Sequence, residues 1–530
     1  MSGFSFLSGR RPAAHAPQAM IATSHSLASA AGLAVLAEGG TAADAAICAN
    51  AVQCVVDPHM TGIGGDCFVL YAPAGGEVRA LNGSGRAPAA ATPAAIRATG
   101  ASAIDRTSAH AVTIPGAVSA WCLLHRDHGS LPLSRLFAPA IRYARQGFPL
   151  SARVAWDFGR YAKDLRGDAH ASALFLPGGK VPVAGQVLTQ PLLAARLHEI
   201  AEHGAEAFYT GPTAAAMVRH LRSLGGLQDE QDFRDGLEAA RWEQPISASY
   251  RGHEVVECGP NGQGLIALMI LRMLEGFDLG PDLPLADRIH LQAEATKLAY
   301  HHRDALLADP DHCAGLADRL LSDDLITGLR ARIDPARAQP PVLWNEAEHK
   351  DTICLCAVDG QGNAISFINS IYYPFGSTRL CPETGVLFHN RGASFRLHEG
   401  HPNAIGPGKR PMHTIIPGML RHRGRVVMPF GVMGGHYQAA GHAAFLSDML
   451  DRGMDPQAAM EQPRSFAFDG ELQLEATVDE ATRRDLAARG HRLSILAKPI
   501  GGAQAIWIDH RTGCLVGGSD SRKDGVAIGF

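Results

Sequence analysis

The stretch His349–Ser370, HKDTICLCAVDGQGNAISFINS, constrains the fold of this chain more than any other. Two β-rich runs flank DGQGN, a cluster of turn residues, so the segment predicts a hairpin. Thr352 follows Asp351 at the head of the first run. A threonine at a strand start is ordinary, because β-branched side chains favour strands. The same residue is a nucleophile if a base sits beside it, and its own α-amine serves once the residue is N-terminal. In an intact chain that nitrogen is an amide without basicity, so the chemistry requires the Asp351–Thr352 bond to break first. Attack of the Thr352 hydroxyl on its own preceding carbonyl would give an ester that water hydrolyses. Just upstream, RARIDPARAQPPVLWNEAEHK is charged, holds two adjacent prolines and lacks periodicity. It reads as an exposed linker, which would let new chain ends swing apart.

At 530 residues the chain exceeds the usual single core, so two domains or one large layered domain are expected. Lys+Arg 48 against Asp+Glu 52 leaves a formal net charge of −4, which offers no basic field for nucleic acid and no attraction to a membrane. No run approaches the roughly 18 consecutive apolar residues of a membrane span. The start, MSGFSFLSGRRPAAHAP, has two arginines where a signal peptide needs a continuous apolar segment. The ten cysteines are scattered through apolar runs without the spacing of zinc sites or disulfide scaffolds. These features predict a cytoplasmic protein with free thiols.

Along the chain, SLASAAGLAVLAEGG and TAADAAICANAVQCVVDP show helical spacing, the first ending in Gly39-Gly40 and the second opening on Thr41 with Asp44 three residues later. CFVLYAPAGGEVRALNGSG reads as a hairpin. From about 115 to 330 the pattern is mostly helical, as in LSRLFAPAIRYARQG, GLIALMILRMLEGFD and RIHLQAEATKLAYHHRDALL. Beyond the linker, strand-like runs dominate: TICLCAV, AISFINSIYY, GVLFHN, RVVMPFGV, QAIWID and LVGGSD, with one long helix around AAGHAAFLSDMLDRG. Segregated strands and helices predict an α+β layered sheet rather than a βαβ alternation.

Common catalytic signatures are absent: there is no GxSxG, GxxxxGK[ST] or HExxH. His198 and Glu202 share a helix face, but such a pair is far more often a solvated surface. No metal and no cofactor is expected.

DTICLCAVDGQGNAISFINS resembles the processing-site hairpin of the γ-glutamyltranspeptidase family, whose members cut themselves before a threonine. The resemblance extends through DPHMTGIGGDCFVLY, YRGHEVVECGPNGQGLIAL, HLQAEATKLAYHHRDALLADP, GPGKRP, PFGVMGGHYQAAGH and GGSDSRKDGVAIGF, in the family's order. It implies an N-terminal nucleophile hydrolase, an αββα sandwich made by a large piece, 1–351, and a small catalytic piece, 352–530, cut from one precursor. It further implies Thr352 as nucleophile with its freed amine as base, and Ser370 in place of a second threonine that hydrogen-bonds it. The backbone N–H groups of Gly434 and Gly435 would form the oxyanion hole, where the absence of side chains permits close approach.

Members that act on glutathione hold its ammonium with an Asp, aided by Asn and Gln, and its carboxylate with an Arg beneath two serines. Here Tyr372 stands for the Asn, Arg391 for the Gln, Ser394 for the Asp, and His413 and Thr414 for the serine pair. Ser84 takes the Arg position, with Arg86 two residues on and on the same face of an extended segment, within reach of the pocket. A carboxylate is lost and a fixed positive charge gained, which disfavours an ammonium and favours a carboxylate lacking an α-amine. The expected activity is hydrolysis of amides of small carboxylate-bearing acids, similar to oxamate. Glutathione hydrolysis or γ-glutamyl transfer, and cephalosporin-acylase-like activity, are the alternatives within the family; an uncleaved binding scaffold is the alternative outside it. The partners expected are a small-molecule amide and the two pieces of the precursor, with higher association left open.

Overall fold

The computed structural model describes residues 9–340 and 352–530. Asp351 and the end of the expected linker, 341–350, lie outside the described residues, as does 1–8 of the N-terminal start. Two seven-stranded antiparallel sheets lie face to face. One runs Ala14–Ala16, Cys514–Ser519, Gly502–Asp509, Arg425–Met433, Pro417–His422, His253–Glu257, Ile246–Tyr250. The other runs Val526–Gly529, Met20–Thr23, Ile353–Val358, Ala364–Ser370, Asp66–Ala72, Arg79–Gly83, Arg241–Glu243.

Alternation along the central strands assigns their faces. Cys354, Cys356 and Ile368 pack with Phe68, Leu70, Met419, Met433 and Ile506 in the layer between the sheets. Ile353, Leu355, Ile365 and Phe367 point the other way, onto helices that include Ser26–Ala37, Ala42–Val56 and Ala117–His128. Helices Gly264–Leu274, Leu285–Leu306 and Gln438–Leu450 cover the far face of the first sheet. Both faces of each sheet are thus dry, which explains why ICLCAV and AISFINS are buried at every position. The sheets approach so closely that a Cβ on Gly431 would come within 2.3 Å of Cys354 Sγ. The layers are those of an αββα sandwich.

Local signals behave as expected at several points. Thr41 and Asp44 cap Ala42–Val56 reciprocally, and Gly39 has φ +86° after the preceding helix. In the DGQGN turn the Asp359 carboxylate accepts hydrogen bonds from the N–H groups of Gln361 and Asn363 and from Ala42 N at 2.8 Å. The described cysteines are all free. Among the described residues no helix is long and apolar enough to cross a membrane.

The 115–330 region is mostly helical, as expected, and also carries a hairpin, Ile246–Tyr250 with His253–Glu257, at the edge of the first sheet. Its two-residue turn, Arg251-Gly252, has positive φ at both positions, the geometry whose twist matches paired strands. One expectation needs correction: GVLFHN forms no strand; it contributes one isolated bridge, Leu387 with Leu380, and its backbone bonds elsewhere, His389 N–H to the Gly64 carbonyl.

Candidate active site

The register of the second sheet places three polar residues in a row. Ser370 is paired with Asp66 on one side, and on the other Thr352 lies one step beyond the pair Ile353–Asn369. By alternation all three share the face of Cys354 and Phe68, at the end of the inter-sheet layer. Thr352 Oγ1 and Ser370 Oγ lie 3.1 Å apart, both buried. Ser370 Oγ also accepts from the Tyr372 N–H at 2.9 Å, which fixes its position beside Thr352. Asn369 faces the helices, where its side chain binds Trp121 Nε1 and Thr61 Oγ1 and fixes the strand end.

Tyr372 has φ +79°, a strained conformation for a non-glycine residue, and this turns the chain sharply away from the strand. Its ring lies under the Arg391 guanidinium, whose central carbon is 3.5 Å from the ring centroid. Arg391, also buried, donates from Nη1 to Thr414 Oγ1 at 2.9 Å. Tyr372, Arg391 and Thr414 therefore form one cluster, and the His436 ring packs nearly perpendicular to that of Tyr372 with centroids 6.4 Å apart.

Ser394 is near but does not present its hydroxyl there. Its Oγ lies between the carbonyls of Arg391 (2.9 Å) and Met412 (2.8 Å), which share its single proton and pin the turn Arg391–Ser394 in place. His413 turns toward the hydroxyl row instead: its Nε2 meets Asp66 Oδ2 at 3.1 Å, and its Nδ1 accepts from the Ile415 N–H. Burial, reinforced by the Arg391 charge, lowers the His413 pKa to about 3. Burial alone would raise Asp66, but His389, the His413 hydrogen bond and Arg391 bring it down to about 2. At neutral pH the pair is a carboxylate accepting from a neutral imidazole, with the Gly85 and Gly116 N–H groups on the other carboxylate oxygen.

Gly434 and Gly435 end the strand Arg425–Met433 and lead into Gln438–Leu450. Gly434 has φ +123°, and a Cβ there would sit 3.1 Å from Gly501 Cα. The Gln263 amide ties this turn to the Thr414 segment, donating to the carbonyls of Thr414 at 2.8 Å and Gly435 at 2.9 Å. Arg303 braces it from below through Gln263 Oε1 and His436 Nδ1.

Arg86 is not part of the cluster. About one third exposed, it donates to the Gly408 carbonyl at 2.8 Å and lies 3.9 Å from Asp309. Beside Ser84 stands a different arginine, the buried Arg410, with Nη1 3.0 Å from Ser84 Oγ. Sequence reasoning also missed Asp66, Gln263, Arg303 and His436. Asp66 lies in GIGGDCFVLY and Gln263 in GPNGQGLIAL, both quoted above for resemblance, yet nothing local to either motif points to its contacts. The cleavage-site residue Asp351 is outside the described residues.

The gamma-glutamyltranspeptidase model matches residues 28–530. The chain is 36% identical over 528 residues to the glutathione hydrolase-like YwrD proenzyme of Bacillus subtilis (strain 168), covering 96% of this chain and 98% of that one. It is 35% identical over 530 residues to the oxamate amidohydrolase proenzyme of Klebsiella pneumoniae subsp. pneumoniae, with the same coverage. The crystal structure of a cephalosporin acylase from Bacillus halodurans superposes with a TM-score of 0.92 at 36% identity, over 100% of this chain and 99% of that one. A match reaching from residue 28 to the last residue, on relatives covered almost end to end, makes this chain a member of the γ-glutamyltranspeptidase family, an enzyme with the N-terminal nucleophile hydrolase fold.

Proposed function

We propose that the chain is a precursor that cuts itself before Thr352 and then hydrolyses amides of small carboxylate-bearing acids, oxamate being the simplest. In maturation Thr352 Oγ1 attacks the Asp351 carbonyl, the C–N bond breaks as its nitrogen takes a proton and becomes the free α-amine, and water then hydrolyses the resulting ester to the Asp351 carboxylate and the restored Thr352 hydroxyl. The amine then takes the hydroxyl proton while Oγ1 attacks the substrate amide carbon. The N–H groups of Gly434 and Gly435 hold the oxyanion, the amine passes its proton to the departing nitrogen, and water clears the acyl-threonine by the same route. Ser370, 3.1 Å away, orients the attacking oxygen.

The observation that carries the substrate reading is a fixed positive charge, the buried Arg391, held between the Tyr372 ring and Thr414. Asp66 is engaged by His413 and two backbone N–H groups. A substrate carboxylate meets a planar, permanently charged donor there, whereas an ammonium meets repulsion. The oxamate amidohydrolase relative is consistent with this reading. The likeness to a cephalosporin acylase favours, as a second reading, a larger acyl amide in the same pocket.

The test compares ammonia release from oxamate, glutamate release from glutathione and hydrolysis of a cephalosporin side-chain amide, on the wild type and on Arg391→Met. Oxamate should be preferred, and Arg391→Met should lower its kcat/KM by about 100-fold, as expected for a buried charge-assisted contact. Glutathione turnover exceeding that of oxamate would sink the substrate claim. Thr352→Ala should leave the chain uncut and inactive; if it still splits, an outside protease makes the cut.

A further inference from the structure

Away from the hydroxyl row, His290, Glu294 and His491 bring three ligand atoms within 4.8 Å of one another, all three residues buried. His290 and Glu294 are four residues apart on Leu285–Leu306 and so share a face; His491 reaches them from just before Leu493–Leu496. The His290 Nε2–H donates to the Asp334 carbonyl at 2.8 Å, which fixes the tautomer and leaves Nδ1 as a lone pair. That lone pair points at His491 Nε2, 2.8 Å away. Glu294 Oε2 accepts from the Gln339 N–H at 3.0 Å, while Oε1 is paired with the Lys297 ammonium.

We infer that these three side chains form a binding site for a divalent late transition metal, zinc being the natural occupant. Two imidazoles and a carboxylate are a common zinc donor set, with one position left for water. Magnesium and calcium prefer all-oxygen shells and are disfavoured by the same donors. Binding puts the ion in place of the proton shared between the two rings; that proton moves to His491 Nδ1, so both imidazoles stay neutral, and the two nitrogens need only part to about 3.3 Å, the span of two 2.0–2.1 Å bonds at a tetrahedral centre. The His290–Asp334 bond is the outer support that metal-bound histidines usually show. Lys297 is the competing cation: its Nζ lies 2.5 Å from Glu294 Oε1. It is also bound to the Gln339 carbonyl at 2.9 Å, an anchor it keeps when the metal enters.

The placement gives the site a role. His290 and Glu294 precede the proposed cut and His491 follows it, while Asp334 and Gln339, held by the same side chains, belong to the segment leading toward the scissile bond. A bound ion ties both pieces and that arm at one point. The tie rests on the cleavage proposed above; the binding site does not.

The experiment titrates chelator-stripped full-length protein with zinc chloride against a chromophoric chelator and reads ligation by zinc X-ray absorption. Expected are one zinc per chain with two imidazole ligands, at least 100-fold weaker binding in His491→Ala, and binding retained in His491→Cys, which keeps a ligand. His301→Ala/His302→Ala should bind as the wild type does. The absence of saturable binding by folded wild type, or unchanged binding in both His491→Ala and His290→Gln, overturns the site. Thr352→Ala, uncut, should still bind, separating failure of the site from failure of the cleavage reading. In cut protein zinc should raise the urea concentration that separates the pieces, and not in His491→Ala; an equal shift in both removes the tie.

Discussion

His413 and Asp66 set the electrostatics beneath the Thr352–Ser370 hydrogen bond. His413 takes up a proton in the fold only near pH 3, against its ordinary 6.5. Between those values the unfolded chain carries a proton that the folded chain lacks, so acidification favours unfolding. Asp66 acts in the same direction lower down, since it stays ionised to about pH 2 when folded but protonates near its ordinary 3.8 when unfolded. Stability from this pair is present at neutral pH and lost as pH falls from 6.5 to about 2. His413→Gln should be less stable at pH 7 by about 1–3 kcal/mol, because Asp66 loses a partner. Its urea midpoint should nevertheless decline less steeply than that of the wild type between pH 6.5 and 4; identical slopes would show that His413 titrates elsewhere.

Among the elements, the turn after Arg425–Met433 carries the sharpest demand. Gly434 occupies a region of φ that side chains avoid, against Gly501 and Tyr437. Gly434→Ala should cost about 1–3 kcal/mol of stability and rotate peptide donors away from the reacting centre. Its kcat should fall about 10²–10³-fold, the effect of losing one oxyanion donor, with KM little changed. An alanine variant with wild-type kcat would remove this turn from the mechanism. The hairpin Ile353–Val358/Ala364–Ser370 was legible from its turn residues and β-rich runs, and so were the long helices. The hairpin Ile246–Tyr250/His253–Glu257 was not, because an Arg-Gly turn is a weaker signal than Asn-Gly and its strands adjoin strongly helical sequence.

At the scale of the molecule, strands from either side of residue 351 interleave in both sheets. Ile353–Val358 lies between Met20–Thr23 and Ala364–Ser370, and Pro417–His422 pairs with His253–Glu257. Cutting the chain therefore severs one covalent bond and no sheet. The two pieces of cut protein should co-elute in native chromatography, unfold in one transition and part only in denaturant. Separation in native buffer would mean that these ladders do not persist after the cut.

The sequence by itself determined where the long helices and most of the strands fall and that Thr352 heads an apolar strand, because these depend on residues close together in the chain. Only the tertiary structure decided which polar groups meet. Asp66 and His413 are 347 positions apart and Gln263 and Gly435 are 172, and such pairs leave no local pattern. The same limit explains Arg86 and Ser394. Alternation along an extended segment says which face Arg86 is on, but its partner, the Gly408 carbonyl, belongs to a distant turn that folding brings up, and the Ser394 hydroxyl is taken by the carbonyls of Arg391 in its own turn and of Met412.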